Sequence, residues 1–286
     1  MVAHNNKQKG GEAKVSPPSI TGHSRFGASG ADRWIECPGS VKAQEGIGGI
    51  TSDAAREGTA GHEVAALCLT DGHDAVSFVG RTIEGIEIDE DIAEAVQVYL
   101  DAVRSDKGAH GGKLLIERRF HLDWLDPEFY GTSDVASLGR DDTLRVYDLK
   151  LGKGKAVEVE ANRQLCYYAL GVIGTLPKIM QGLIKVVELI IVQPRRPHKD
   201  GAVRRWRTTP EQLLDYCQDL VDAAKLARSD NPPFKAGDHC TFCRAAGTCP
   251  TLRNLALSRA QEDFDDDAWD GVSRDATGRP VDHTGD

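Results

Sequence analysis

Tyr130-Gly-Thr-Ser-Asp134, followed by Val146-Tyr-Asp148-Leu-Lys150, is the stretch on which the fold reading turns. Each piece lies in a short run rich in β-branched and aromatic residues, and Leu138-Gly-Arg-Asp-Asp-Thr143 between them has the composition of a hairpin connection. Two adjacent strands are therefore expected to carry Asp134 and Asp148, with Asp134 ending or interrupting its strand. Side chains alternate along a strand, so Lys150 falls on the same side as Asp148. Two carboxylates and a lysine suit divalent-metal chemistry at a phosphodiester. Oxygen ligands hold hard cations, and a bound cation stabilises the phosphate and lowers the pKa of an attacking water. The Leu149 carbonyl is a further candidate ligand. On its own such a trio also reads as surface charge or a salt bridge.

Outward from this centre, residues 113–120, 129–138 and 143–150 read as three strands, and 186–193 as an apolar strand stopped by Pro194. Helical patterns flank them. One is expected over 29–37, capped by Ser29 and ended by Pro38-Gly39; a second over 52–69, starting at Ser52; a third over 90–103. In that third helix Ile92, Val96, Tyr99, Leu100 and Val103 form one apolar stripe. A helix over 160–172 follows the strands, and a last one starts at Thr209-Pro210-Glu211, where proline costs least, and reaches Arg228. Helices, a group of strands, a helix, a strand and a long helix make a mixed-sheet α/β architecture, not a bundle or a sandwich.

Composition narrows the class. The chain has 286 residues, a formal net charge of −9 and seven cysteines. An acidic balance argues against general coating of nucleic acid but leaves room for a local basic groove. No stretch approaches the roughly 18 apolar residues of a membrane span, and the N-terminus has no signal-peptide core. A soluble protein of a reducing compartment is expected, without a membrane role. Residues 1–25 are polar and read as a flexible segment. Residues 261–286 read as an acidic disordered tail, solubilising or, through Phe264 and Trp269, partner-docking.

Further residues bear on the centre. Gly58 and His62 stand four apart on a helix, which allows close approach beside a projecting imidazole; Gln164 and Tyr168 form a second such pair. Cys240, Cys243 and Cys249 offer three soft ligands, and Cys37 can supply a fourth if the fold joins the two ends of the domain. Spacing alone leaves zinc, an iron–sulfur cluster and unligated thiols open, zinc being helped by His239. Cys68, Cys166 and Cys217 sit in apolar patterns and read as buried thiols. Arg195, Arg196, His198, Lys199, Arg204, Arg205 and Arg207, with Trp206 among them, form a basic run that can track a phosphate backbone or simply be a solvated loop. Lys153 and Lys155 lie between glycines, where they can support a nucleic-acid groove. Gly152-Lys-Gly-Lys155 lacks the full phosphate-loop pattern, which argues against an ATPase.

The segments Gly58–His62, Gly131–Asp134, Asp148-Leu-Lys150 and Gln164–Tyr168 together resemble the RecB/Cas4-type branch of the PD-(D/E)XK nuclease superfamily. Ser29-Gly-Ala-Asp-Arg-Trp-Ile-Glu-Cys-Pro-Gly-Ser40 and Glu57–His62 extend the resemblance to the phage-associated DUF2800 proteins. The resemblance implies a restriction-endonuclease-like mixed sheet flanked by helices over residues 26–260, with a cysteine-cluster region at 235–255. It also implies that His62, Asp134 and Asp148 bind Mg²⁺ or Mn²⁺, that Lys150 is catalytic, and that Gln164 and Tyr168 position DNA or support the site. Asp148 stands where many relatives have Glu. Cys37, Cys240, Cys243 and Cys249 match the cysteines that hold a [4Fe-4S] cluster in such nucleases, with Zn²⁺ as the alternative. The implied activity is a metal-dependent deoxyribonuclease, an exonuclease in phage DNA replication or recombination. It would work in the cytoplasm of a bacterial host beside a single-strand-binding or annealing protein. The competing account is a catalytically inactive DNA-binding or recombination scaffold stabilised by its cluster.

Overall fold

Every residue of Thr143–Leu149 is buried, the burial of a strand covered on both faces. The computed structural model describes residues 24–48 and 52–266. In chain order its elements begin with α1 (Ala31–Glu36), α2 (Gly39–Ala43) and α3 (Asp53–Asp71). A small hairpin of β1 (Thr82–Ile83) and β2 (Ile86–Glu87) leads into α4 (Glu90–His110). Then come β3 (Leu114–His121), β4 (Tyr130–Leu138), β5 (Thr143–Leu149), α5 (Arg163–Thr175) and α6 (Lys178–Gln181). The chain continues through β6 (Val186–Val192), β7 (Val203–Thr208), α7 (Pro210–Ala227) and α8 (Pro250–Asp266).

The main sheet has five strands in the order β3-β4-β5-β6-β7. Only β5 and β6 are parallel; the other neighbours are antiparallel. A parallel pair needs a crossover, and α5 lies in it. One face of the sheet packs Val146, Leu189 and Ile191 against α5, α1 and α7. The other packs Tyr147, Leu149, Ile190 and Val192 against α3 and α4. The result is a mixed α/β fold, a five-strand mixed sheet flanked by helices.

Local chemistry explains the boundaries. Ser52 Oγ accepts from the Ala55 N–H at 3.2 Å, and Thr209 with Gln212 forms a capping box ahead of Pro210. Two expectations are corrected. The first helix is capped at Gly30, not Ser29, and after Pro38 the chain resumes as α2. At Gly39 a Cβ would sit 2.7 Å from the Phe234 ring, so glycine there allows the C-terminal segment to pack closely. The expected acidic tail is helical as far as Asp266; the rest of that tail, and the N-terminal segment up to residue 23, lie outside the described residues.

Candidate active site

The β4–β5 ladder stops at Val135↔Tyr147. Continuing its register would pair Asp134 with Asp148, but the strands part there, and the Leu149 N–H donates to Asp134 Oδ2 at 3.1 Å. Asp134 thus lies inside β4, not at its end; what is interrupted is the pairing. Leu149 touches the site through that N–H. Across β4, Ile116↔Val135 and Arg118↔Ser133 bracket Glu117 opposite Asp134. Glu117 has φ of +45°, a conformation that L-residues other than Asn and Asp seldom adopt. The facing of β3 reverses across it: Leu114 and Ile116 pack in the α3–α4 layer, whereas Phe120 packs against α5.

Three side chains converge at this opening. His62, from α3, places Nδ1 3.2 Å from Asp134 Oδ2. Ligand atoms of His62, Glu117 and Asp134 all lie within 4.8 Å of one another. Glu117 was not among the residues singled out from the sequence. Beside them runs a polar chain: Lys150 Nζ lies 2.8 Å from Asp148 Oδ2 and donates to Gln164 Oε1 at 2.6 Å, and Gln164 Nε2 donates to the Tyr168 hydroxyl at 2.9 Å. The i, i+4 spacing on α5 aligns the last two side chains.

Glu117 is exposed, His62 and Asp134 are partly buried, and Asp148 is buried. Burial lowers the proton affinity of His62, but the charge of Asp134, its hydrogen bond and Asp148 outweigh this and raise the pKa to about 9. Burial pushes Asp134 upward, yet the His62 imidazolium and the Leu149 N–H hold it below the usual carboxylate range. Asp148 moves the other way, raised by burial and by Asp134 against the opposing pull of Lys150. Desolvation, then Asp134, lifts Glu117 to about 7. Asp148 Oδ2 is buried, with the Lys150 ammonium beside it at 2.8 Å. The nitrogen and oxygen donors fit a Mg²⁺- or Mn²⁺-class cation at His62, Glu117 and Asp134, with Asp148 alongside.

Close approach of α3 to the sheet occurs at Gly61, not at Gly58. A Cβ on Gly61 would lie 2.8 Å from Leu151, whereas Gly58 faces open space.

The two ends of the domain meet at a second site. Cys37, Cys240, Cys243 and Cys249 line one cavity together with Arg33. The Gly39 N–H donates to Pro233 O at 2.9 Å and the Lys235 N–H donates to Cys37 Sγ at 3.4 Å. Burial raises the Cys37 thiol, and the buried Arg33 Nε has no hydrogen-bond partner. Four sulfurs beside a cation fit a soft thiolate-bound metal of net negative charge. Cys166 and Cys217 are pushed by burial to about 12 and about 11, as inert thiols are; Cys68 is likewise buried.

Much of the basic run is engaged in contacts within the fold. Part of it is β7. The Arg195 side chain is 6% exposed and pairs with Glu57 and Asp91. Arg204 is buried and donates to Val157 O and Gln193 Oε1. Arg205 pairs with Asp106 and Glu188, Arg207 with Glu188, and Trp206 packs against the core. Arg196 and Lys199 remain exposed. Lys153 and Lys155 are exposed and pair with Asp91 and Asp238. Among the described residues no helix is long and apolar enough to cross a membrane.

The family described as "Protein of unknown function (DUF2800)" matches residues 23–275. The crystal structure of SSO0001 is similar over 82% of this chain and 89% of that chain, at 12% identity and a TM-score of 0.37, a likeness too loose to bear on fold or chemistry.

Proposed function

The chain belongs to the DUF2800 family, and we propose that this member is a divalent-metal-dependent DNA nuclease of PD-(D/E)XK type, acting at a DNA end during phage replication or recombination. The observation that carries the reading is the convergence of His62, Glu117 and Asp134 next to the ion pair of buried Asp148 with Lys150.

In this reading His62, Glu117 and Asp134 hold the cation and Asp148 completes its surroundings. A bound Mg²⁺ or Mn²⁺ supplies Lewis-acid polarisation of the phosphate and acidifies a water. Lys150, held by Asp148 and Gln164, presents its ammonium to the phosphate and offsets charge that builds during attack. Tyr168 fixes Gln164, and through it Lys150. The Leu149 N–H fixes the Asp134 carboxylate. The four-cysteine cavity is assigned to a [4Fe-4S] cluster, with Zn²⁺ as the alternative. There it would tie α1 and α2 to the segment before α8.

The test uses DNA labelled at either end, single- and double-stranded, with Mg²⁺ or Mn²⁺. Metal-dependent degradation is expected, abolished by chelator and by Asp148→Ala with the fold retained. DNA binding that persists without cleavage under any of these conditions would instead support a catalytically inactive scaffold.

A further inference from the structure

We propose that the exposed edge of β3 and the turn after it guide a single DNA strand to the nuclease centre, with Trp124 stacking on an unpaired base. The inference rests on the nuclease reading and names the form of its substrate. β3 is the outermost strand of the sheet. Starting from Glu117 in the site, Arg118, Arg119 and His121 are exposed, while Phe120 between them is buried. Their charge is available in a way that the β7 arginines' charge is not. Arg118 donates Nε to Thr175 Oγ1 at 3.3 Å, and among the described residues no ion pair uses Arg118 or Arg119.

The turn beyond supplies flat surface. His121 and Tyr130, paired across the strands, stack with centroids 5.6 Å apart at 29°. Trp124 is 59% exposed. Its Nε1 lies 4.0 Å from the position a Cβ on Gly174 would occupy, so the indole rests on the last turn of α5, where Arg118 also anchors. Two carboxylates of the same turn are already countered: Asp126 and Glu128 by Arg228, Glu128 also by Arg25. From Glu117 to His121 is about 13 Å of strand at about 3.3 Å per residue, the reach of a few nucleotides. Exposed arginines beside aromatic faces are the pattern that binds single strands: backbone by charge, bases by stacking. A duplex keeps its bases paired and would leave Trp124 unused.

The test measures binding of fluorescein-labelled oligothymidylate, in EDTA, by anisotropy. Trp124→Ala should weaken it roughly ten- to a hundred-fold, the range expected for losing one stacked base. Trp124→Phe should restore most of the affinity, and Arg119→Ala should flatten the salt dependence. Parent protein that fails to bind the oligonucleotide, or Trp124→Ala that binds like the parent, overturns the proposal. Failure of the nuclease reading looks different: Trp124-dependent binding without Mn²⁺-dependent cleavage of the bound strand.

Discussion

Glu117 and His62 set the chemistry of this centre through their protons. Both have pKa values raised in the metal-free fold, Glu117 to about 7 and His62 to about 9, so both bind protons more tightly folded than unfolded. Metal-free stability should therefore fall as pH rises, through the Glu117 step from about pH 4.5 to 7 and the His62 step from about 6.5 to 9. A cation requires the opposite states, carboxylate and neutral imidazole. Mn²⁺ affinity should therefore increase from pH 6 to 9 with release of protons, measurable by calorimetry in buffers of different ionisation enthalpy. Affinity that is flat across this range would remove these two groups from the metal site. Asp134, Asp148 and Lys150 were legible in the sequence because strand alternation is local. Glu117 was not: its orientation depends on a positive φ and on the parting of two strands that neighbour it only in space. The signal available was an acidic residue inside the run Leu114-Leu-Ile-Glu-Arg-Arg-Phe120.

At the scale of elements, α3 carries His62 to the sheet, and its two glycines have opposite roles. Gly61→Ala should push against Leu151 and destabilise the protein by about 1–3 kcal/mol. Gly58→Ala adds a methyl to open space on a helix and should stabilise it by up to about 1 kcal/mol. Thermal unfolding of the two variants reads both signs, and equal effects would contradict the packing described. Helix starts at Ser52 and Thr209 were readable from capping chemistry, which is local. β7 was not, because a buried arginine breaks the hydrophobic pattern of a strand. Arg204 points inward with hydrogen bonds to Val157 and Gln193, while Arg205 and Arg207 point outward. A basic run therefore concealed an edge strand held by its own ion pairs.

At the scale of the whole molecule, a sheet with helices on both faces is closed where α1 and α2 meet the segment before α8. The separation in sequence is long, so closure there removes much unfolded-state freedom. Cys249→Ser should lower bound iron and sulfide, or zinc, and increase hydrogen exchange around residues 37–43 and 234–249 while leaving β5 and β6 protected. Unchanged exchange would mean the cavity does not clamp the ends. That four cysteines would share one cavity was legible only as a possibility from their spacing; the contacts of Gly39 with Pro233 and of Cys37 with Lys235 place the two segments together. The central claim concerns the division of labour in the main site, with acids and His62 holding metal and Lys150 acting on the phosphate. The most direct measurement is Mn²⁺ binding and cleavage of end-labelled DNA in the same samples of the parent and Lys150→Ala. The account predicts metal binding retained and cleavage lowered by a factor of about 100 or more; cleavage at the parent rate by Lys150→Ala, or cleavage by the parent with all divalent metal chelated, would contradict it.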